Sequence, residues 1–159
     1  MQTTMTKADL LAALRANGAE LAARLREMPV AAFEAGRYEN GWSGRQILAH
    51  VASVEWTYPK LVDLARMGSA PEAAAAVDSF DIGAYNQRQV DKRQAASIAD
   101  LIAEFERNRA ATIAAVEACD EDLLATHIRS TGGVEGSLAQ VIGYVAVNHT
   151  LEHVADIAG

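Results

Sequence analysis

The chain has 159 residues, half of them apolar, which suits one domain spanning residues 1–159 around a single core and excludes a disordered or fibrous protein. Fourteen Lys and Arg against twenty-one Asp and Glu leave a net charge of −7 with no basic cluster, which argues against nucleic acid and anionic membrane surfaces as partners. Cys119 is the one cysteine, so there is no internal disulfide and no thiolate metal cluster, and a reducing, cytoplasmic setting is expected.

Periodicity and punctuation predict an all-α protein built as a four-helix bundle. The first helix opens at Thr6 with Asp9 three residues on, a capping pair that offers acceptors to orphan N–H groups; Leu10, Leu14, Leu21 and Leu25 follow at helical spacing. Gly18 weakens this helix modestly and Pro29 ends it, leaving Val30–Trp42 as a connection.

Ser43 and Gln46 open a second helix, along which Ile47, His50, Val51, Val54, Tyr58 and Leu61 recur every three or four residues. Pro59 predicts a kink or break near Thr57–Tyr58, and Gly68 a stop. The alanine-rich stretch Ser69–Ser79 reads as a loop or loose helical turn. From Asp81–Ile82 the pattern fits two helices or one bent one, with an internal cap at Ser97 and Asp100. Ile98, Leu101, Ile102, Phe105 and Val116 mark its apolar face, and Glu104, Glu106, Arg107 and Arg109 its charged one.

Thr126–Gly136, with its glycines, reads as a loop, and no segment reads as a strand. Ser137 and Gln140 cap a last helix carrying Leu138, Val141, Ile142, Val145, His149, His153 and Ile157. Its apolar run is too short and too polar to span a bilayer, and Lys7 and Asp9 interrupt any leader-like stretch at the start.

Three of the four histidines fall on apolar stripes. His149 and His153, four apart, project from consecutive turns of one helical face, and His50 lies on the buried side of the second helix. Two ligands from one helix and one from another can meet at a single ion, leaving a coordination position open. The same stripes equally suit hydrogen-bonded core histidines. His127, in the polar loop, reads as a surface residue.

The string Gly41-Trp42-Ser43-Gly44-Arg45-Gln46-Ile47-Leu48-Ala49-His50-Val51 resembles the opening of the second helix in the DinB/YfiT-like superfamily. Asn148-His149-Thr150-Leu151-Glu152-His153-Val154-Ala155-Asp156-Ile157 is similar to that family's closing H-x-x-x-H helix, and Ala84-Tyr85-Asn86 before the Ser97 cap resembles its third-helix region. The resemblance implies a bundle with up-down-down-up connectivity and a divalent metal ion, zinc or nickel, held by His50, His149 and His153. The family includes thiol-dependent enzymes, among them mycothiol-dependent maleylpyruvate isomerase and bacillithiol transferases. It therefore points to a transferase-type detoxification activity on a small-molecule substrate with a low-molecular-weight thiol as cosubstrate, or to a metal-dependent hydrolase. The isomerase carries a second domain that has no counterpart in this sequence, which counts against that particular activity. A non-catalytic ligand- or partner-binding bundle is the rival from another class, and the apolar stripes would also support a homodimer.

The remaining candidates each carry two readings. Glu152 is a surface carboxylate or orients an imidazole, and its place between the histidines differs from the H-E-x-x-H of metalloproteases. Asn148 and Asp156 share that ambiguity. Trp42 packs the bundle end or contacts substrate; Tyr144 is a packed aromatic or a proton donor. Tyr85 and Asn86 line a cavity or merely pack. Acidic Asp120 and Glu121 beside Cys119 disfavour a catalytic thiolate.

Overall fold

Most helix starts among the described residues coincide with side chains that cap them. The computed structural model describes residues 4–38, 40–68 and 79–159. The hydroxyl of Thr6 accepts from the Asp9 N–H at 3.1 Å while the Asp9 carboxylate accepts from the Thr6 N–H at 3.2 Å, opening α1 (Lys7–Glu27). The same reciprocal box forms at Ser43 and Gln46 ahead of α3 (Gly44–Glu55), and at Ser137 and Gln140 ahead of α8 (Leu138–Gly143).

The expected connection after Pro29 contains a short helix, α2 (Val30–Glu34), anchored by buried Phe33. It crosses α3 so closely that a Cβ on Gly44 would stand 2.4 Å from the Ala32 carbonyl oxygen. Glycine is required there by the approach of two backbones, a cause that local sequence does not reveal.

The Pro59 break falls where expected. α3 ends at Glu55 and α4 (Pro59–Met67) starts with proline in its first turn, where the missing N–H costs nothing; Gly68, with φ 61°, ends it. The alanine-rich segment 69–78 lies outside the described residues. The third region is two helices, α5 (Ile82–Lys92) and α6 (Ile98–Glu117), the second capped by Ser97, followed by the single turn α7 (Glu121–Leu124).

The expected loop at 126–136 holds a small antiparallel hairpin, β1 (His127–Arg129) paired with β2 (Glu135–Ser137). Strands of three residues are too short to show an alternating pattern, and Gly133 turns the chain at φ 84°. Beyond α8, a π-helical turn spans Tyr144–Asn148 before α9 (His149–Ala158).

Four long runs, α1, α3–α4, α6 and α8–α9, form the all-α bundle. α6 packs against both α1 and α3; α9 packs against α3 and α8 against α1. The apolar core falls into two parts. One gathers Leu21, Leu25, Ile47, Leu48, Phe105, Val154 and Ile157; the other gathers Leu10, Leu14, Tyr58, Val62, Val116, Leu138 and Ile142. Between them each run contributes a buried polar residue: Asn17 from α1, Glu55 from α3, Arg109 and Thr112 from α6, Thr150 from α9.

Arg109 therefore corrects the expected charged face of α6, because its side chain turns inward to Glu55. Gly18 makes this possible: a Cβ there would lie 3.0 Å from the Arg109 Cγ. The glycine that reads as a weak point in α1 is the space through which an arginine enters the core. No helix among the described residues is long and apolar enough to cross a membrane.

Candidate metal centre

His50 sits in the middle of α3, and His149 and His153 occupy successive turns of α9. Each offers a ring nitrogen, and the three nitrogens lie within 4.8 Å of one another. The His149 and His153 Nε2 atoms are 2.9 Å apart. The His50 ring meets the His153 ring edge-on at a centroid distance of 4.8 Å. The sequence stripes thus converge in space, which helical spacing alone left open.

The π turn sets the phase of this face. The His149 N–H donates to the Tyr144 carbonyl, five residues back, so one extra residue is taken up and the helix beyond is rotated by roughly 100° relative to an unbroken α-helix. Two carbonyls of the turn take side-chain donors: Val145 accepts from the Tyr58 hydroxyl at 2.9 Å, and Ala146 from Arg109 at 2.5 Å.

Burial keeps two of the imidazoles neutral. His50 is pushed down to about 4 by desolvation and then by proximity to His149. His153 is pushed down to about 3 by desolvation and then by His50 and His149. The Nδ1 atoms of both are buried and hydrogen-bonded to nothing among the described residues. Satisfied core histidines would not leave such atoms orphaned, so the hydrogen-bonded core alternative fits these two poorly. Neutral nitrogen donors converging from two helices fit a divalent metal ion.

An aromatic wall backs the cluster. Trp42 lies 5.3 Å from His50, centroid to centroid, with its indole N–H donating to Gln87 at 3.1 Å, and Tyr38 lies 5.3 Å from His153. Trp42 is therefore both a packed residue and a neighbour of the cluster. On the other side, a cavity of about 260 Å³ opens over His50 and His149. Tyr144, Asn86, Tyr58 and the hairpin residues Ser130 and Thr131 line it, among apolar side chains such as Val54 and Leu61.

Other sequence candidates separate cleanly. Glu152 is exposed, with Oε2 3.8 Å from the His149 Nδ1, on the solvent side of the cluster. Asn148 is exposed and Asp156 half-buried, and neither lines the cavity. Tyr144 is 43% exposed and stacks near His149 at the rim. Tyr85 faces a second cavity. Cys119 is buried and its thiol is raised above the ordinary range by desolvation, which leaves it without thiolate character. His127 is exposed.

Sequence reasoning missed Tyr38, Thr57, Ser130 and Thr131. Tyr38 lay in a connection with no periodicity, and the hairpin residues lay in a stretch read as a spacer; a polar Ser-Thr pair beside glycines was the only signal.

Comparison with known proteins bears on family and fold. A family model of the DinB superfamily matches residues 13–157. The structure superposes on mycothiol-dependent maleylpyruvate isomerase with a TM-score of 0.71 at 17% identity, over 98% of this chain and 63% of the isomerase. A mutant of the isomerase superposes with a TM-score of 0.72. YfiT from Bacillus subtilis, described as a probable metal-dependent hydrolase with an unusual four-helix bundle topology, superposes with a TM-score of 0.72 at 15% identity, over 99% of this chain and 87% of YfiT. The chain thus spans under two thirds of the isomerase, and at these identities the likeness establishes the fold. No curated protein matches the sequence.

Proposed function

The chain belongs to the DinB superfamily, and from that premise we propose that it is a metal-dependent enzyme whose ion is held by His50, His149 and His153 and whose reaction transfers a low-molecular-weight thiol to an organic electrophile. The observation that carries this reading is the convergence of three ring nitrogens within 4.8 Å beneath an open cavity. A divalent ion bound there supplies Lewis acidity, lowering the pKa of a thiol or water brought to its open position.

The chain's own residues have separate tasks in this scheme. His50 and His153, neutral through burial, keep their lone pairs available without competition from protons at neutral pH. Trp42 and Tyr38 exclude water from the inner side of the cluster. Val54 and Leu61 give the cavity apolar walls that hold an organic substrate next to His50 and His149. Tyr144, at the rim, is placed to carry a proton on its hydroxyl as the leaving group departs. In the transfer, the S–C bond forms as the bond from carbon to the leaving group breaks, and the thiol proton passes to solvent or to that group.

Hydrolysis is the second reading, favoured by the likeness to YfiT over 87% of that chain. It uses the same cavity with water in place of the thiol.

The test starts with the metal content of untagged protein purified without chelator, beside His50→Ala, His149→Ala and His153→Ala. Near-stoichiometric zinc or nickel that drops in each variant, with helical content retained, supports the site. Unchanged metal in all three sinks it. Turnover of an activated electrophile that needs added thiol then selects transfer, whereas turnover of an activated ester without thiol selects hydrolysis. Well-folded protein that takes up no metal on reconstitution would make the bundle a binding module.

A further inference from the structure

A second cavity adjoins the one over the histidines. Thr57, Leu61, Ile82 and Thr131 line both, and the second is a chamber of about 290 Å³ on the outer side of the first. These four shared wall residues set the two chambers side by side, and together the chambers offer more space than a small, compact substrate fills. At the far side stand Met67 and Phe80, apolar side chains left 42% and 41% exposed.

Charge along this path is sparse. Among the described residues the inner chamber is lined by no Asp, Glu, Lys or Arg, His50 and His149 being its titratable groups beside Tyr58 and Tyr144, and the outer chamber carries Lys60 and Asp63, of opposite sign. Residues 1–3, 39 and 69–78 contain no Lys or Arg that could add a cation. Beyond the histidines' own site a dicarboxylate seated here would meet one cation, Lys60, offset in net charge by Asp63, so its desolvation costs more than apolar burial returns.

We infer that the outer chamber is a subsite for the apolar end of an extended, uncharged substrate whose reacting end meets the three histidines. This rests on the enzymatic reading above for the role of the inner end, and on the four residues common to both chambers for the path between. Specificity then comes from length and neutrality: each methylene that passes Leu61 and Ile82 gains burial, and a terminal carboxylate forfeits it.

Calorimetric titration with neutral n-alkyl thiols, from ethanethiol to octanethiol, tests the inference on protein loaded with its divalent ion and on metal-free protein. Affinity is expected to rise about fourfold per methylene until the outer chamber is filled, and an ω-carboxylate on the longest thiol to weaken it at least about tenfold. Ile82→Trp, which puts bulk on the wall common to both chambers, flattens the rise. Met67→Lys, an exposed position that folds readily, strengthens binding of the ω-carboxylate thiol several-fold. A flat series in the parent protein, an unaltered series in Ile82→Trp, or equal binding of neutral and ω-carboxylate thiols would overturn the subsite. The metal-free arm separates the two readings: a length-dependent rise of equal strength with and without metal keeps the subsite and removes the metal from its function.

Discussion

The Arg109 Nη2 lies 2.9 Å from the Glu55 Oε1 at the centre of the bundle, with the Nε of the same guanidinium 3.0 Å from that oxygen, and both side chains are almost wholly buried. The second Glu55 oxygen accepts from the Thr112 hydroxyl at 2.7 Å. The Arg109 Nη1 reaches the Asn17 side-chain oxygen and the Leu14 carbonyl, both at 2.9 Å. One guanidinium therefore joins α1, α3 and α6 to the π turn that precedes His149. Glu55 stands five residues after His50 on α3, and Ala146 three before His149, so this polar layer abuts the histidine cluster on both of its helices.

Removing one partner leaves the other charge buried and unpaired, which costs more than the pair itself contributes. Arg109→Met alone should destabilise the protein by about 3–5 kcal/mol. Adding Glu55→Leu should recover much of that loss, because both charges are then gone. Urea denaturation of the single and double variants measures the coupling; equal losses in both would show that the ion pair is not the source.

What local chemistry decides was legible in the sequence. The boxes at Thr6, Ser43 and Ser137 and the break at Pro59 depend on residues within four positions, and each formed where the spacing put it. Periodicity also placed His50, His149 and His153 on inward stripes. Long-range partners were not legible: Arg109 looks solvent-facing until Gly18 and Glu55 are brought beside it. The π turn was equally hidden, since residues 144–148 fit an α-helical pattern; it shows in the bond from the His149 N–H to the Tyr144 carbonyl, and the distant Tyr58 and Arg109 donate to the Val145 and Ala146 carbonyls within it. The hairpin at 127–137 was too short to leave a strand signal.

The depressed histidines give a pH signature with a definite sign. In metal-free protein, His50 and His153 titrate near 4 and 3 when folded but at the ordinary value of about 6.5 when unfolded. The unfolded chain therefore binds protons first as the pH falls below 6.5, and stability falls with it, by about 1.4 kcal/mol per pH unit for each histidine until its folded value is reached. Above 6.5 neither contributes a slope. Urea midpoints of metal-stripped protein between pH 7 and 4.5 check this, and His153→Leu should remove about half of the dependence.

Two glycines separate packing from loop freedom. A Cβ at Gly44 would stand 2.4 Å from the Ala32 carbonyl oxygen and 2.9 Å from the Phe33 Cα, both backbone atoms that cannot rotate away. Gly44→Ala should force α2 off α3 and cost about 1–3 kcal/mol, as overpacking does. At Gly36 the nearest atoms are 3.9 Å away, so Gly36→Ala should be close to neutral. Thermal denaturation of the pair gives the comparison, and a neutral Gly44→Ala would mean that α2 is not held where the structure has it.

The Tyr58 hydroxyl offers the narrowest probe of the π turn. It donates to the Val145 carbonyl at 2.9 Å, and among the described residues the other side-chain donor to that oxygen is the Thr150 hydroxyl at a long 3.4 Å. Tyr58→Phe deletes this one group and keeps the ring that packs beside Leu10, Leu14 and Val62. Taking the short partner from this half-buried carbonyl should cost about 0.5–1.5 kcal/mol, the net worth of one hydrogen bond. Because the turn fixes the phase of α9, the loss should also reach His149: amide exchange should quicken across 144–150 more than in α6, and metal uptake by the proposed site should weaken while Tyr58→Phe remains folded. Exchange that quickens uniformly along the chain would show that the hydroxyl stabilises the bundle as a whole and does not hold the turn.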